Sequence, residues 1–530
     1  MLTGSDALAF DNAAIKPPGG DGSRAADAPA GLDGQPGAGK TALVIGSGFG
    51  GLAAAVRLGA MGYRVKVLER LDAPGGRARV FRQDGFVFDA GPTIITAPFL
   101  FEELWSLCGR RFADDVDLQP VTPFYRIRFD DGSVFSYCGD PEAMRREVER
   151  FSPGDVAGYE RFMAYSQELC DSLFEGLCDK PFHRFGEMLR VLPDLVRLQG
   201  RRSVYAVVSD FIKDPRLRIV FSFHPLLIGG NPFSASAVYA LIPYLERRWG
   251  VHFAMGGTGK LVEGLVKLIR GQGGDIVYNA DVSQILVDEG AAKGVRLANG
   301  DVVKADVVVS NADVSTTYHD LLPEGLARRW TPKRVEKARH SMSLFVWYFG
   351  TRKKYDDVGH HTIVLSPRYR ALLRDIFTKK ILAEDASLYL HRPTCADPSL
   401  APDGCDAFYV LSPTPNLESG VDWSAQAEAY RRMVERRLVE TMMPDLEETI
   451  VTSRVMTPQH FKDELRAFNG AGFSLEPVLM QSAWFRPHNR SGAVKNLYLV
   501  GAGTHPGAGV PGVLSSARVL NRVVPHAQHV

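Results

Sequence analysis

The sequence predicts an α/β fold: a parallel-sheet core interrupted by an inserted mixed-sheet region and a helical segment. Three observations carry this prediction. Residues 42–45, 305–310 and 496–500 are short apolar runs of the kind that form buried parallel strands. The first of them opens a compact β-α-β unit with a glycine-rich turn. Residues 343–350 (SLFVWYFG) and 407–415 (AFYVLSPTP) are aromatic and β-branched, and read as strands of a separate antiparallel sheet.

Taken in order, residues 1–40 are rich in Gly, Ala, Asp and Pro without periodicity, and are expected to form a disordered leader. Its end, Gly34 to Thr41, matches the G-x-x-x-x-G-K-[ST] phosphate-loop pattern letter for letter. That loop needs a strand before it and a helix after it, and here the strand follows, so nucleotide hydrolysis is set aside. Strand 42–45 leads into Gly46-Ser-Gly48-Phe-Gly-Gly51, a helix with apolar spacing at Leu52, Val56 and Leu58, and a second strand at 63–68. Residues 124–137 alternate about Asp131-Gly132 as a hairpin. From 141 to 218 the pattern is helical. A Thr258-capped helix over 259–271 ends at glycines 271, 273 and 274. Strands at 275–279 and 281–288 follow, then a hairpin turning at Asn299-Gly300 and the buried run 305–310. Residues 422–442 form an amphipathic helix, and a last helix is expected over 513–523.

Composition excludes several function classes. The chain has 530 residues, 45% apolar and 23% charged, enough for a large core. Its 62 basic and 61 acidic residues give a formal charge of +1, without the basic excess of a nucleic-acid binder. The six cysteines form no C-x-x-C and read as scattered thiols of a reduced cytoplasm, and no metal ligands are assigned. The N-terminus lacks a basic segment followed by an apolar core, so no secretory signal is expected. Residues 219–245 are 27 positions without Lys, Arg, Asp or Glu. Pro225, Gly229, Gly230, Pro232 and Pro243 break the run, so a spanning helix is not expected, and the segment reads as buried or cavity-lining.

The strongest chemistry lies in the first β-α-β unit, which is Rossmann-like. Gly46 permits the tight turn, Gly48 lets backbone approach a pyrophosphate, and Gly51 lets helix and strand pack closely. The helix N-terminus then faces the diphosphate. Glu69, 18 residues past Gly51, sits where a carboxylate accepts hydrogen bonds from both ribose hydroxyls. Arg70-Leu-Asp-Ala-Pro-Gly75-Gly76-Arg77-Ala78-Arg79 and Phe88-Asp89-Ala-Gly91-Pro92-Thr93 add a second glycine tract and another turn. A nicotinamide does not need that extension, whereas a longer, permanently bound flavin does. At the far end, Gly501-Ala502-Gly503-Thr504-His505-Pro-Gly507-Ala-Gly509-Val510-Pro511-Gly512 again runs from a strand into a helix. That helix start reads as a dipole aimed at the flavin's pyrimidine edge. No second dinucleotide module is apparent, which argues against NAD(P)H as electron partner.

From about Thr41 onward the chain resembles the bacterial and fungal carotenoid desaturases of the phytoene desaturase type, in the flavin amine-oxidase-like superfamily. The similarity is carried by VIGSGFGGLAAAVRL, LDAPGGRA, FDAGPT, VTPFYR, FSFHPLLIGGNPFSASAVY, GGTGKLVEGL, SNADV, QSAWFRPHNR and NLYLVGAGTHPGAGVPGV. The resemblance implies a glutathione-reductase-like, amine-oxidase-type FAD domain assembled from 41–120, 251–315 and 481–530. It implies a substrate domain from 121–250, with a helical membrane-associated insert, and from 316–480. It also implies successive desaturation of a linear C40 polyene, phytoene, toward neurosporene or lycopene. The implied location is peripheral, on the cytoplasmic face of the inner membrane, with a quinone or dioxygen as electron acceptor. The FAD contacts it implies are Gly46, Ser47, Gly48, Phe49, Gly50, Gly51, Glu69, Arg70, Gly76, Arg77, Ala78, Gly91, Pro92, Thr93, Val282, Gly501, Ala502, Thr504, His505, Gly509, Val510 and Pro511. Asp155, in FSPGDVAGY, is the position compared with the acid proposed in this family. Gly154 stands where the family often has a basic residue, and a surface N-cap is the alternative role for Asp155.

A hydrocarbon substrate calls for an apolar tunnel, for which Phe221, Phe223, Leu226, Leu227, Phe233 and Tyr239 are candidates, with core packing as the alternative. Segment 180–218 carries nine basic residues against four acidic ones, interleaved with Phe, Leu and Val, a pattern suited to an anionic bilayer surface or to a solvated helix face. Competing activities are a carotene isomerase, a diapocarotene desaturase or oxygenase, and an amine oxidase. A prenyl-lipid escort without redox work is a further alternative.

Overall fold

The computed structural model describes residues 39–530, so the expected leader, apart from Gly39 and Lys40, and most of Gly34 to Thr41 lie outside the described residues. Of the phosphate-loop pattern, Lys40 forms an ion pair with Asp306, and Thr41 already belongs to the first strand.

The apolar runs form one parallel five-stranded sheet. Strand Thr41–Ile45 is central, flanked by Arg64–Leu68 and Val307–Ser310. Asp275–Val277 and Leu497–Leu499 lie at the edges. Helix Phe49–Ala60 is buried from Phe49 to Leu58. Small residues on all its faces let it pack between the sheet and helices Gly259–Gly271 and Val510–Arg518. Thr258 precedes the former helix without capping it; its hydroxyl donates to the Pro92 carbonyl, which ties the two turns together. The last helix begins at Val510, three residues before the expected start, because the glycine turn feeds directly into it.

The second sheet has seven strands in the order Ile450–Met456, Ser343–Thr351, Asp406–Thr414, Leu388–His391, His361–Val364, Tyr125–Arg128, Val134–Tyr137. It is antiparallel except where His361–Val364 runs parallel to Tyr125–Arg128. The sheet is therefore mixed, as expected for the inserted region, and within it the two aromatic strands pair antiparallel. The expected hairpin closes at Asp131-Gly132 as its edge. Three of its strands were not legible: His361–Val364 and Leu388–His391 are four-residue stretches bearing histidines, and Ile450–Met456 alternates with polar residues. Helices Pro141–Phe151, Val156–Leu169, Phe185–Arg197, Val204–Phe211, Pro215–Val220 and Ile242–Trp249 follow the edge strand Val134–Tyr137 and lead the chain back to the parallel-sheet side. A separate three-stranded antiparallel sheet over residues 282–304 contains the Asn299-Gly300 hairpin. No described helix is long and apolar enough to cross a membrane.

Candidate active site

The three parallel strands at the sheet centre deliver their following turns to one spot. Asn311, just after Val307–Ser310, is the hub: its Nδ2 donates to the Gly46 carbonyl at 3.4 Å. A Cβ added at Gly50 would stand 2.6 Å from Asn311 Oδ1 and 3.1 Å from Gly501 Cα. One at Gly51 would stand 2.0 Å from the Gly46 carbonyl oxygen. The N-terminal and C-terminal glycine turns therefore touch, and only hydrogen side chains permit it. Two further polar residues of the QSAWFRPHNR stretch fix the far turn. Arg486, 1% exposed, donates to the Ala502 carbonyl at 2.9 Å. Asn489 Nδ2 donates to the His505 carbonyl at 2.9 Å.

Both helix starts open onto a cavity of about 590 Å³. Neither helix Phe49–Ala60 nor helix Val510–Arg518 has a side-chain cap or an acid in its first turn, so their leading amides face the cavity uncompensated. All the expected cofactor contacts line it except Gly51, which packs beneath the turn, and Thr504, whose hydroxyl donates to the Gly501 carbonyl at 3.0 Å. Glu69 is buried at the end of its strand. Its Oε2 accepts from the Ser47 amide at 2.8 Å and hydroxyl at 2.5 Å, and Oε1 accepts from the Leu71 amide at 2.9 Å. Arg70 donates to the carbonyls of Asp463 and Glu464, Arg79 pairs with Glu464, and Arg77 donates to the Ala471 carbonyl at 3.3 Å. The second glycine tract thus clamps the 463–471 loop over the polar end. Burial lowers the Arg77 guanidinium below its usual range, opposed by Asp313, and its Nε has no partner among the described residues. His505 Nδ1 is likewise buried and unpartnered, and burial brings this imidazole down to about 4. Amides at two helix starts, a glycine cradle, a buried carboxylate and the unsatisfied Nε of the Arg77 guanidinium fit an anionic dinucleotide.

Beyond the turn the wall becomes apolar. Phe223, Leu226, Leu227 and Tyr239 of the uncharged run line it, whereas Phe221 and Phe233 pack in the core. Met188, Val191 and Leu195 close it on one side, and Leu344, Val346 and Leu411 of the mixed sheet on the other.

Asp155 is not where a catalytic residue has to be. It does not line the cavity. Its two oxygens accept the amides of Lys213 and Asp214, each at 2.8 Å. Burial raises the carboxyl, but those two bonds, with Ser152 and the Lys213 charge, outweigh it and hold the group below the usual range. The N-cap alternative fails too: the side chain makes no cap bond to its own helix and is 1% exposed. The residue ties one helix start to the loop before Pro215–Val220. Asp155→Asn is expected to cost about 1–3 kcal/mol of stability with flavin content and turnover per flavin unchanged. Denaturant unfolding beside absorbance of the purified protein checks this.

The sequence reading assigned no metal, yet three imidazoles converge. Strand pairing sets His361 opposite His391, and with His360 they offer ligand atoms within 4.8 Å of one another. A hydrogen-bonded chain links them to the cavity: His361 Nδ1 lies 2.7 Å from the Tyr389 hydroxyl, itself 3.2 Å from Thr93 Oγ1.

Residues 49–520 match the family model described as flavin containing amine oxidoreductase. The chain is 51% identical over 491 residues to the phytoene desaturase (neurosporene-forming) of Cereibacter sphaeroides, covering 92% of this chain and 95% of that one. It is 48% identical over 488 residues to the phytoene desaturase (lycopene-forming) of a Paracoccus species, covering 92% and 97%. Among solved structures, an oxidoreductase from Methanosarcina mazei superposes with a TM-score of 0.62 at 18% identity, covering 91% of this chain and 100% of the other, a likeness of fold. The chain therefore belongs to the flavin containing amine oxidoreductase family and, within it, to the phytoene desaturases.

Proposed function

We propose that this protein is an FAD-dependent phytoene desaturase that introduces successive double bonds toward neurosporene or lycopene. The observation that carries the reading is a single cavity with two ends: glycine turns and helix starts at one, hydrocarbon side chains at the other. Bound FAD supplies the two-electron oxidation, taking a hydride from one carbon of the substrate. The protein's part is to bind, orient and keep dry. The two helix starts would hold the diphosphate and favour negative charge on the flavin. Glu69, which accepts from the Ser47 hydroxyl, would hold the ribose hydroxyls. The apolar wall excludes water from the developing cation.

The cofactor half of this reading draws on residues 41–120, 251–315 and 481–530, and the substrate half on 121–250 and 316–480. The five parallel strands and the seven-stranded sheet support that division, since each sheet gathers its strands mostly from one set. Peripheral attachment to the cytoplasmic face of a membrane belongs to the same reading. Helix Phe185–Arg197 turns Met188, Val191 and Leu195 to the cavity, while Leu189, Leu192 and Val196 are 53%, 44% and 62% exposed on its outer side. Arg190 is exposed on the same helix, and Arg197 at its end pairs with Glu168 and Asp194; a basic residue beside an apolar face suits an anionic bilayer surface. A helix greasy on both sides is a doorway from lipid to tunnel. A membrane quinone or dioxygen then takes up the electrons.

FAD-loaded protein incubated with phytoene in liposomes and a quinone is expected to form coloured neurosporene or lycopene, resolved by chromatography. Full FAD loading with no coloured product, or flavin bleaching by a primary amine instead, overturns the assignment.

A further inference from the structure

Loss of a hydride leaves a cation whose neighbouring C–H must give up a proton, and a dry cavity has no water to take it. Glu246 is the first charged residue after the 27 uncharged ones. It sits in helix Ile242–Trp249, lines the apolar part of the cavity beside Leu241, Ile242 and Leu245, and is 1% exposed. Its Oε1 accepts from the Tyr125 hydroxyl at 2.5 Å. Its Oε2 lies 3.2 Å from His224 Nε2 without the alignment of a hydrogen bond, and has no hydrogen-bond partner among the described residues. His224 is itself 1% exposed, with Nδ1 also unpartnered there.

Folding alone does not call for this arrangement. A buried carboxylate with one oxygen unsatisfied is destabilising, and an apolar residue of similar volume packs better. The other acids on the cavity wall are at its polar end: Glu69 is held by Ser47, Asp281 by Arg466, Glu464 by Arg79, and Asp313 follows the Asn311 hub. Contacts also connect Glu246 to the expected flavin wall. The Tyr125 ring lies 6.1 Å from His361, and His361 reaches Thr93 through Tyr389.

We propose that Glu246 is the base of the desaturation, accepting on Oε2 the proton that leaves the hydrocarbon. The proposal rests on the desaturase reading above. One carbon gives a hydrogen with its bonding pair to FAD, the oxidant, which is reduced by two electrons. The neighbouring carbon gives its hydrogen to Oε2 as a proton, and the pair left behind becomes the new π bond. Glu246 ends the step as a neutral carboxylic acid. Tyr125 is a positioning residue, holding Oε1 and leaving Oε2 as the oxygen without a hydrogen bond among the described residues.

The test is a single anaerobic turnover of the full-length, FAD-loaded protein with phytoene in liposomes, followed by flavin absorbance and infrared difference spectroscopy. In the wild type, flavin bleaching is expected to coincide with loss of a carboxylate band and gain of the C=O stretch of a protonated carboxylic acid. In Glu246→Gln that pair of bands is expected to vanish, with FAD content unchanged and bleaching slowed about 10²–10⁴-fold. Wild-type bleaching without the carboxylic-acid band overturns the proposal and leaves the desaturase reading standing, and needs no variant to fold. Bleaching by Glu246→Gln within threefold of wild type does the same. A wild type that phytoene does not bleach overturns both.

Discussion

Gly51→Ala is expected to purify with a lowered flavin content. The added carbon would stand 2.0 Å from the Gly46 carbonyl oxygen and 3.1 Å from both Cβ and Nδ2 of Asn311. None of these is the free end of a flexible side chain. The Gly46 carbonyl terminates the central strand and already accepts from Asn311, which also stands against Gly48, Gly50 and Gly501. The helix start has to move away from the strand, and the first-turn amides move with it. Overpacking of this kind costs about 1–3 kcal/mol. Taken from cofactor binding, that is about a 5- to 150-fold loss of FAD affinity. The ratio of flavin to protein absorbance and a fluorescence titration of apoprotein with FAD measure it. Gly154→Ala is the matched control, since no atom lies within 4 Å of its added carbon. Full flavin content in Gly51→Ala would show that the close approach of helix and strand is not what forms the cradle.

A steep loss of stability is expected on acidification from pH 6.5 to 4. Burial first, and the Arg392 charge second, lower His360 to about 4. Burial likewise brings His488, beside Arg329, and His505 to about 4. His361 and His391 are held well below the usual range, by burial first and by the neighbouring imidazoles second. In the unfolded chain each of these titrates near 6.5. Below that pH the unfolded state therefore binds protons that the folded state refuses, and stability falls as pH falls until the folded groups titrate. Each such imidazole contributes about 1.4 kcal/mol per pH unit. Asp89 works in the opposite direction, because burial raises it to about 6, so the folded state takes up a proton there that the unfolded state does not. Glu476 is likewise raised by burial and acts with Asp89, but the five imidazoles outnumber the two carboxyls, so the net slope is a few kcal/mol per pH unit, a large fraction of the stability of an ordinary domain. Denaturant midpoints of the FAD-loaded protein at a series of pH values between 7.5 and 4.5 are expected to fall throughout. A flat profile down to pH 5 would mean that the imidazoles are paired or hydrated in solution.

The cofactor end of the site was legible because its signals are local. Gly46, Gly48 and Gly51 occupy one turn, Glu69 ends the next strand, and Gly501 to Pro511 form one continuous stretch, so a few consecutive residues encode the backbone path. The apolar wall was legible as the uncharged run, although the sequence did not separate Leu226 and Leu227, on the cavity, from Phe221, in the core. Asn311 lies in a motif that the sequence singled out only for its resemblance. Its position after a buried strand, beside the glycine turn, was the available signal.

Asp155 and Glu246 show where local reading stops. Both are acids in helical sequence, and the first drew attention through its motif. The fold sends Asp155 to two backbone amides across the helical segment and Glu246 to Tyr125, 121 positions away. Likewise His360 and His361 meet His391 only because two short strands pair in one register. The sequence by itself determined the α/β class, the glycine cradle and the presence of a hydrocarbon-like wall, since backbone conformation and hydrophobicity are properties of neighbouring residues. Tertiary structure alone decided which carboxylate reaches the cavity, which imidazoles cluster and what lies beneath the glycines. Those outcomes depend on strand register and helix packing between distant segments, which no short stretch of chain specifies.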